Sequence, residues 1–329
     1  MDLIEEPYEG FAAVRIETAA WRAIVLPTLG AKVISLVAQA TGEEWLWREP
    51  GRSLRAATYG AAFSDYDISG WDECFPGIGA GPYPEASWTA NIPDHGELWT
   101  RPWSYEVASD GLRTFIDGVH FPYSFERRIS ATAEGALVLT YTVKNHHAAP
   151  MYYVWAAHPL FRVSPGMALV LPEGTSVVVD FSKHGRLGGL LARHVWPTTS
   201  DTHGNSVDLS TIVGPTHDTA DKLYAVDMRA GWSALHDTTS GDYLALTFDI
   251  AQIPYLGIWI NQGGWPLDAP PSFNVALEPC SGYPDQLDIA RERGATGVLP
   301  SLGTVTWSFT LHCGRANELR HVSPTGTIS

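Results

Sequence analysis

Alternation of apolar and polar residues recurs along this chain and constrains its fold more than any other feature. A period of two sends successive side chains to opposite faces of a strand and does not fit one face of a helix. In ALVLTYTVKN, Leu137, Leu139, Tyr141 and Val143 alternate with Val138, Thr140, Thr142 and Lys144. In TVTWSFTLH, Val305, Trp307, Phe309 and Leu311 alternate with Thr306, Ser308, Thr310 and His312, and DYLALTFD repeats the pattern with Leu244, Leu246 and Phe248. Further β-rich runs stand at VRIET, WRAIVL, KVISLV, YYVWAAH, SVVVDF, YLGIWIN and FNVALE. The 31 Gly and 23 Pro fall mainly between such runs, at turn spacing. Helix is expected only over PDQLDIARERGA, with Leu287 and Ala290 facing inward and Gly294 capping the end. Many short strands without crossover helices exclude a parallel βαβ sheet and predict an all-β chain, a large antiparallel β-sandwich. The polar stretch from about Lys183 to Asp221 reads as loop. Length alone, at roughly 150 residues per domain, suggests two domains. No linker or internal repeat divides the chain, however, so residues 1–329 are expected to form one.

Charge narrows the partners. With 21 Lys and Arg against 36 Asp and Glu, the chain carries a formal net charge of −15 and repels nucleic acid and anionic membranes. The start, MDLIEEPYEG, lacks the basic and apolar regions of a secretory signal, and no run approaches the ~20 apolar residues of a membrane span. A soluble protein of the cytoplasm is expected. Cys74, Cys280 and Cys313 are odd in number and far apart, which suggests neither a disulfide framework nor a thiolate zinc site.

Polar residues and aromatics concentrate together in SGWDECFPGI (69–78), in PDHGELWTRPW (93–103), and at the strand ends AAHPLF around His158 and LEPCSGY around Glu278. Sugar sites are built from such material, because aromatic faces cover the apolar side of a pyranose while carboxylates and imidazoles hold its hydroxyls. In FNVALE, Phe273, Val275 and Leu277 share one face, so Asn274, Ala276 and Glu278 project from the other. The same count groups Tyr152, Val154, Ala156 and His158, and groups Tyr255, Gly257, Trp259 and Asn261. A metal held by Asp94, His95 and Glu97 is disfavoured, since their spacing does not converge three ligands and no H-E-x-x-H occurs. No glycine-rich phosphate loop opens a helix.

DHGELW, Asn145 and Pro150 ahead of AAHPLF, and LEPCSGYPD stand in an order and spacing that resembles the aldose 1-epimerase, or galactose mutarotase-like, family over most of the chain. The resemblance implies a β-supersandwich, no cofactor, and interconversion of the α and β anomers of a free sugar. It assigns Glu278 as the base at the anomeric hydroxyl, His158 as the acid at the ring oxygen and His95 as a second imidazole on the sugar. Relatives carry an Arg in an N-R-I type segment where this chain reads SDYDISGWDECFPGI. Asp72 and Glu73 are therefore expected to hold hydroxyls, with Arg101 a substitute for the Arg and Asp249 a candidate for a further substrate-binding Asp. Trp71, Glu97, Trp99, Trp259 and Asn261 complete the expected sugar contacts. Two rival readings are a non-catalytic carbohydrate-binding protein and an enzyme cleaving glycosidic bonds with Glu278 paired to Asp72 or Glu73.

Overall fold

A computed structural model of the chain describes every residue except 86, 87, 89 and 269. Two antiparallel sheets hold most of the strands. The larger, of eleven strands, begins as a meander of Asp2–Tyr8, Phe11–Glu17, Trp21–Leu26 and Lys32–Ala38. It continues through Trp71–Cys74, Ala156–Pro159, Phe273–Cys280, Tyr255–Gln262, Thr219–Val226 and Ser176–Ser182 to the edge strand Arg193–Val195. The smaller, of eight, runs Ala168–Val170, Trp232–His236, Asp242–Phe248, Thr304–Arg315, Leu137–Asn145, Tyr123–Ala131, Gly111–Asp117 and Ser104–Ala108. The expected antiparallel sandwich is thus the observed architecture.

The alternation explains how the layers meet. Leu137, Leu139, Tyr141 and Val143 are buried while Lys144 is exposed, and the partner strand buries Trp307, Phe309 and Leu311 in register with them. Trp71 of the large sheet stacks on Phe309 of the small one, ring centroids 5.7 Å apart. Trp155 lies 4.7 Å from Tyr141 and 5.0 Å from Trp307. These aromatic contacts add to the area they bury.

One charged group sits inside this layer. The Glu73 carboxylate, fully buried, accepts hydrogen bonds from Arg127 Nη1 at 3.1 Å, the Tyr141 hydroxyl at 2.8 Å and Trp155 Nε1 at 3.0 Å. Arg127 and Tyr141 belong to the small sheet, so this cluster ties the layers together. Burial pushes the Glu73 carboxyl up to about 6 against the opposing pull of Arg127. Trp71 and Glu73, expected at a sugar, therefore belong to the interior between the sheets.

Three local expectations are refined. YYVWAAH is two strands, Met151–Tyr153 and Ala156–Pro159, with Val154 and Trp155 between them. The stretch from Lys183 to Asp221 contains the edge strand, a Thr198–Ser200 and Ser206–Asp208 ribbon, and the start of Thr219–Val226. Those short strands are mostly exposed and polar and carry no apolar stripe to announce them. The helix forms over Leu287–Glu292 with Leu287 and Ala290 buried, and Gly294 follows at φ +68°. No helix among the described residues is long and apolar enough to cross a membrane.

Replacing Arg127 with Met is expected to cost about 3–5 kcal/mol in denaturant unfolding, because it leaves the Glu73 carboxylate without its cation inside the core. The Arg127→Met, Glu73→Gln double variant recovers most of that loss. Equal stability of the single variant and the wild type would show that the pair does not hold the layers.

Candidate active site

Register places a row of side chains on the outer face of the large sheet, away from the aromatic core. Glu278 pairs with Gly257, Ala276 with Trp259 and Asn274 with Asn261. On the next strand Lys222 pairs with Trp259 and Tyr224 with Gly257, while Phe181 pairs with Lys222. On the other side Cys280 pairs with Ala156, and His158 with Asp72. Residues opposite one another share a face. Glu278, Trp259, Asn261 and His158 therefore stand together; parity sets the face each takes on its own strand, and register brings those faces to one side. A bulge between Val179 and Phe181 inserts Asp180 as an extra residue, and such bulges re-aim side chains.

These residues floor a cavity of about 300 Å³ whose wall also includes Phe63, Asp94, His95, Trp265 and Asp285. That is the lower end of the ~300–1,000 Å³ range of small-molecule sites. His95 reaches it from a tight loop. Its own φ of +59° is strained for a residue with a side chain, and Gly96 follows at φ +78°. A Cβ at Gly96 would fall 2.2 Å from the Phe75 carbonyl oxygen, so glycine is required there. The His95 ring stacks on Phe63 at 4.1 Å and meets the His158 ring edge-on at 5.1 Å. Asp94 fixes both neighbours: Oδ1 lies 2.8 Å from His95 Nδ1, and Oδ2 accepts the Phe63 N–H at 2.7 Å.

Glu278 is fully buried. Oε2 accepts a hydrogen bond from Lys222 Nζ, while Oε1 has no hydrogen-bond partner and lies 3.8 Å from His158 Nε2. Burial holds the Glu278 carboxyl above the ordinary carboxylate range, with Lys222 pulling the other way. Burial, His95 and Lys222 push His158 well below the usual imidazole range, so its resting form is neutral. Asp180 Oδ1 accepts the Asp285 N–H at 3.0 Å, and Tyr224 donates its hydroxyl to Asp285. Burial, together with the charge of Asp285, pushes the Asp180 carboxyl up to about 7.

His95, His158, Glu278, Trp259 and Asn261 line this one cavity. The remaining candidates stand apart from it. Asp72 shares the outer face but is buried against Lys32, whose Nζ lies 2.5 Å from Oδ2. Glu97 is buried, accepting from the Tyr59 hydroxyl at 2.7 Å and from the backbone N–H groups of Val119 and His120. Trp99 donates Nε1–H to the Asp94 carbonyl and packs edge-on to Phe63, one layer behind the wall. Arg101 bonds the Asp117 carbonyl, and Asp249 sits in a turn where it accepts the Ala251 N–H. Asp94, His95 and Glu97 do not converge on one point, and no group of three metal-ligating side chains gathers among the described residues. The cavity also contains Lys222, Asp180 and Phe63, which no sequence motif marks, together with Asp285, the last residue of LEPCSGYPD, and Asn274, which shares the Glu278 face of its strand. The signal that could have found Lys222 is the strand TADKLYAV, whose parity puts Lys222 beside Tyr224.

Residues 13–181, more than half of the chain, match the family model described as aldose 1-epimerase. The chain belongs to that family. The matched segment contains His95 and His158 and ends before Lys222 and Glu278. No curated protein matches the chain in sequence. Among solved structures, the fold is similar to that of a galactose mutarotase related enzyme from Lactobacillus acidophilus, at 15% identity and TM-score 0.66, covering 92% of this chain and 97% of that one. It is also similar to a galactose mutarotase-like protein from Lactobacillus casei, at 18% identity and TM-score 0.65 with 92% and 100% covered. A third, the galactose mutarotase-like protein of Clostridium acetobutylicum, gives 15% identity and TM-score 0.64 with 96% and 99% covered. The family fold thus extends through the strands that carry Lys222 and Glu278.

The raised Asp180 carboxyl has a consequence for stability. A group that binds its proton more tightly in the folded state stabilises the fold below its unfolded value of 3.8 and loses that contribution as pH rises through about 7. Thermal melts should therefore show wild-type stability declining over this window, with Asp180→Asn flattening part of the decline. Parallel wild-type and variant curves from pH 4 to 7.5 would contradict the assignment.

Proposed function

We propose that the protein is an aldose 1-epimerase-like isomerase that interconverts the α and β anomers of a free sugar, with Glu278 as base and His158 as acid. The observation that carries this reading is the unpartnered, buried Oε1 of Glu278 standing 3.8 Å from His158 Nε2 on the cavity floor. Anomer exchange needs one group to take the proton from the anomeric hydroxyl and another to protonate the ring oxygen. Both oxygens are bonded to C1, so the two groups must be neighbours. A separation beyond hydrogen-bond length leaves each free to engage the sugar rather than the other.

Glu278 Oε1 accepts the hydroxyl proton as His158 Nε2–H donates toward the ring oxygen. The C1 to ring-oxygen bond breaks, leaving an open-chain aldehyde. Rotation about C1–C2 presents the other carbonyl face, and as the ring closes Glu278 returns its proton to the carbonyl oxygen while His158 takes back the proton of the hydroxyl that becomes the ring oxygen. The reacting form carries the proton on His158 Nε2 as an imidazolium beside an ionised Glu278, and giving that proton up returns His158 to the neutral form that burial favours. His95 stands edge-on to His158, where it can hydrogen-bond the sugar and share charge that develops on the ring oxygen. Trp259, held by Asn274 Oδ1, supplies an apolar surface for a pyranose face, and Asn274 Nδ2 supplies a donor for a hydroxyl, while the Asn261 amide holds the Gly264–Trp265 turn at the cavity wall.

Cleavage of glycosidic bonds by Glu278 with Asp72 or Glu73 is not favoured, because neither Asp72 nor Glu73 lines the cavity. The test is NMR of a freshly dissolved single anomer of a free hexose or pentose. The enzyme should accelerate equilibration, and Glu278→Gln and His158→Asn should each lower kcat by about 10²–10⁴-fold. Saturable sugar binding without accelerated exchange would instead identify a carbohydrate-binding protein. Acceleration untouched by Glu278→Gln would overturn the acid and base roles of the pair.

A further inference from the structure

We propose that Lys222 is a positioning residue that holds one oxygen of Glu278, so that the other alone meets the sugar. The inference rests on Glu278 being the base. Lys222 and Glu278 lie on strands separated by a third, Tyr255–Gln262, and are offset along it, since Lys222 pairs with Trp259 and Glu278 with Gly257. The Lys222 side chain must therefore cross the middle strand near Gly257 to reach the carboxylate. Gly257 makes the crossing possible. A Cβ there would lie 2.8 Å from Oε2 and 3.3 Å from Cδ of Glu278, inside the contact distance of real side chains. The oxygen that the missing Cβ makes room for is the one bonded to Lys222. What remains free is Oε1, on the side of His158.

The arrangement answers two demands on a buried base. A carboxylate with both oxygens unbound could rotate, whereas a base must present one lone pair in one direction. Burial also favours the protonated form, in which the group is no base at all, and an ammonium in contact opposes that. Lys222 is buried as well, with Nζ 5.3 Å above the Tyr224 ring. Other charged or titratable groups around Glu278 do not replace it. His158 and His95 face Oε1 from the far side, and His158 is neutral. Asp180, on the strand beyond that of Lys222, and Asp285 beyond Pro284 carry the wrong sign. Cys74 and Cys280 flank Glu278 on the outer face as buried thiols held well above their ordinary range.

The experiment follows the Glu278 carboxyl directly, by carbon NMR of protein labelled at the glutamate carboxyls, with Glu278→Gln assigning the signal. In Lys222→Met the titration midpoint should rise by about one pH unit or more relative to wild type. The low-pH limb of anomer exchange should move up with it, and kcat should fall more than KM changes. Lys222→Arg, which keeps the charge, should hold the midpoint near that of the wild type. Should Lys222→Met fail to fold, Gly257→Ala serves, since it displaces Oε2 from the ammonium and should raise the midpoint in the same direction. An unchanged Glu278 midpoint in a folded Lys222→Met or Gly257→Ala protein overturns the proposal. If wild type exchanges no anomers but the midpoint still moves with Lys222, the clamp stands and the proposed function fails.

Discussion

A strand has two faces, and the central strands of the large sheet use both as interior. Along Phe273–Cys280, Val275 and Leu277 are buried, and so are Asn274 and Glu278 on the opposite side. One face is closed by the small sheet and its aromatic layer. The other is closed by the loops that bring Phe63, His95 and Trp265 over the cavity. Period-two geometry therefore gives one sheet packing on one side and a cavity on the other. Moving any central strand by one residue would exchange the two sets.

Burying charge on such a sheet requires a partner for each carboxylate, and four buried carboxylates of the large sheet have one. Glu73 meets Arg127 between the layers, Asp72 meets Lys32, Asp221 meets Arg186, and Glu278 meets Lys222. They differ in what is left over. Both Glu73 oxygens are engaged, Oε1 by Arg127 and Tyr141 and Oε2 by Trp155. Glu278 keeps Oε1 unbound beside an imidazole and a cavity. A saturated buried carboxylate is architecture, and one with an unused oxygen facing a cavity is available for proton transfer.

The neighbouring residues Asp72 and Glu73 show how far sequence reading reaches. Their segment, rich in acid and aromatic groups, reads as sugar-binding material, yet alternation sends Glu73 into the core and Asp72 to Lys32. Nothing local distinguishes a carboxylate that will find a buried Arg 54 positions later from one that will meet a hydroxyl. Lys222 is the converse case. Its strand alternates too weakly to stand out, and its ion pair reaches across the middle strand to a residue 56 positions away.

The sequence by itself determined the all-β class, the short helix over Leu287–Glu292, which residues share a face with Glu278 and which with Trp259 and Asn261 along their own strands, and the resemblance that singles out His95 and His158. These are properties of local periodicity and short motifs. Only the tertiary structure decided which charged residues pair with one another, which side of the sheet is core and which is cavity, and that Lys222 and Asp180 stand in the same cavity as Glu278. Those are long-range outcomes, set by strand order and by the cost of burying a charge without a partner, and no window of neighbouring residues contains them.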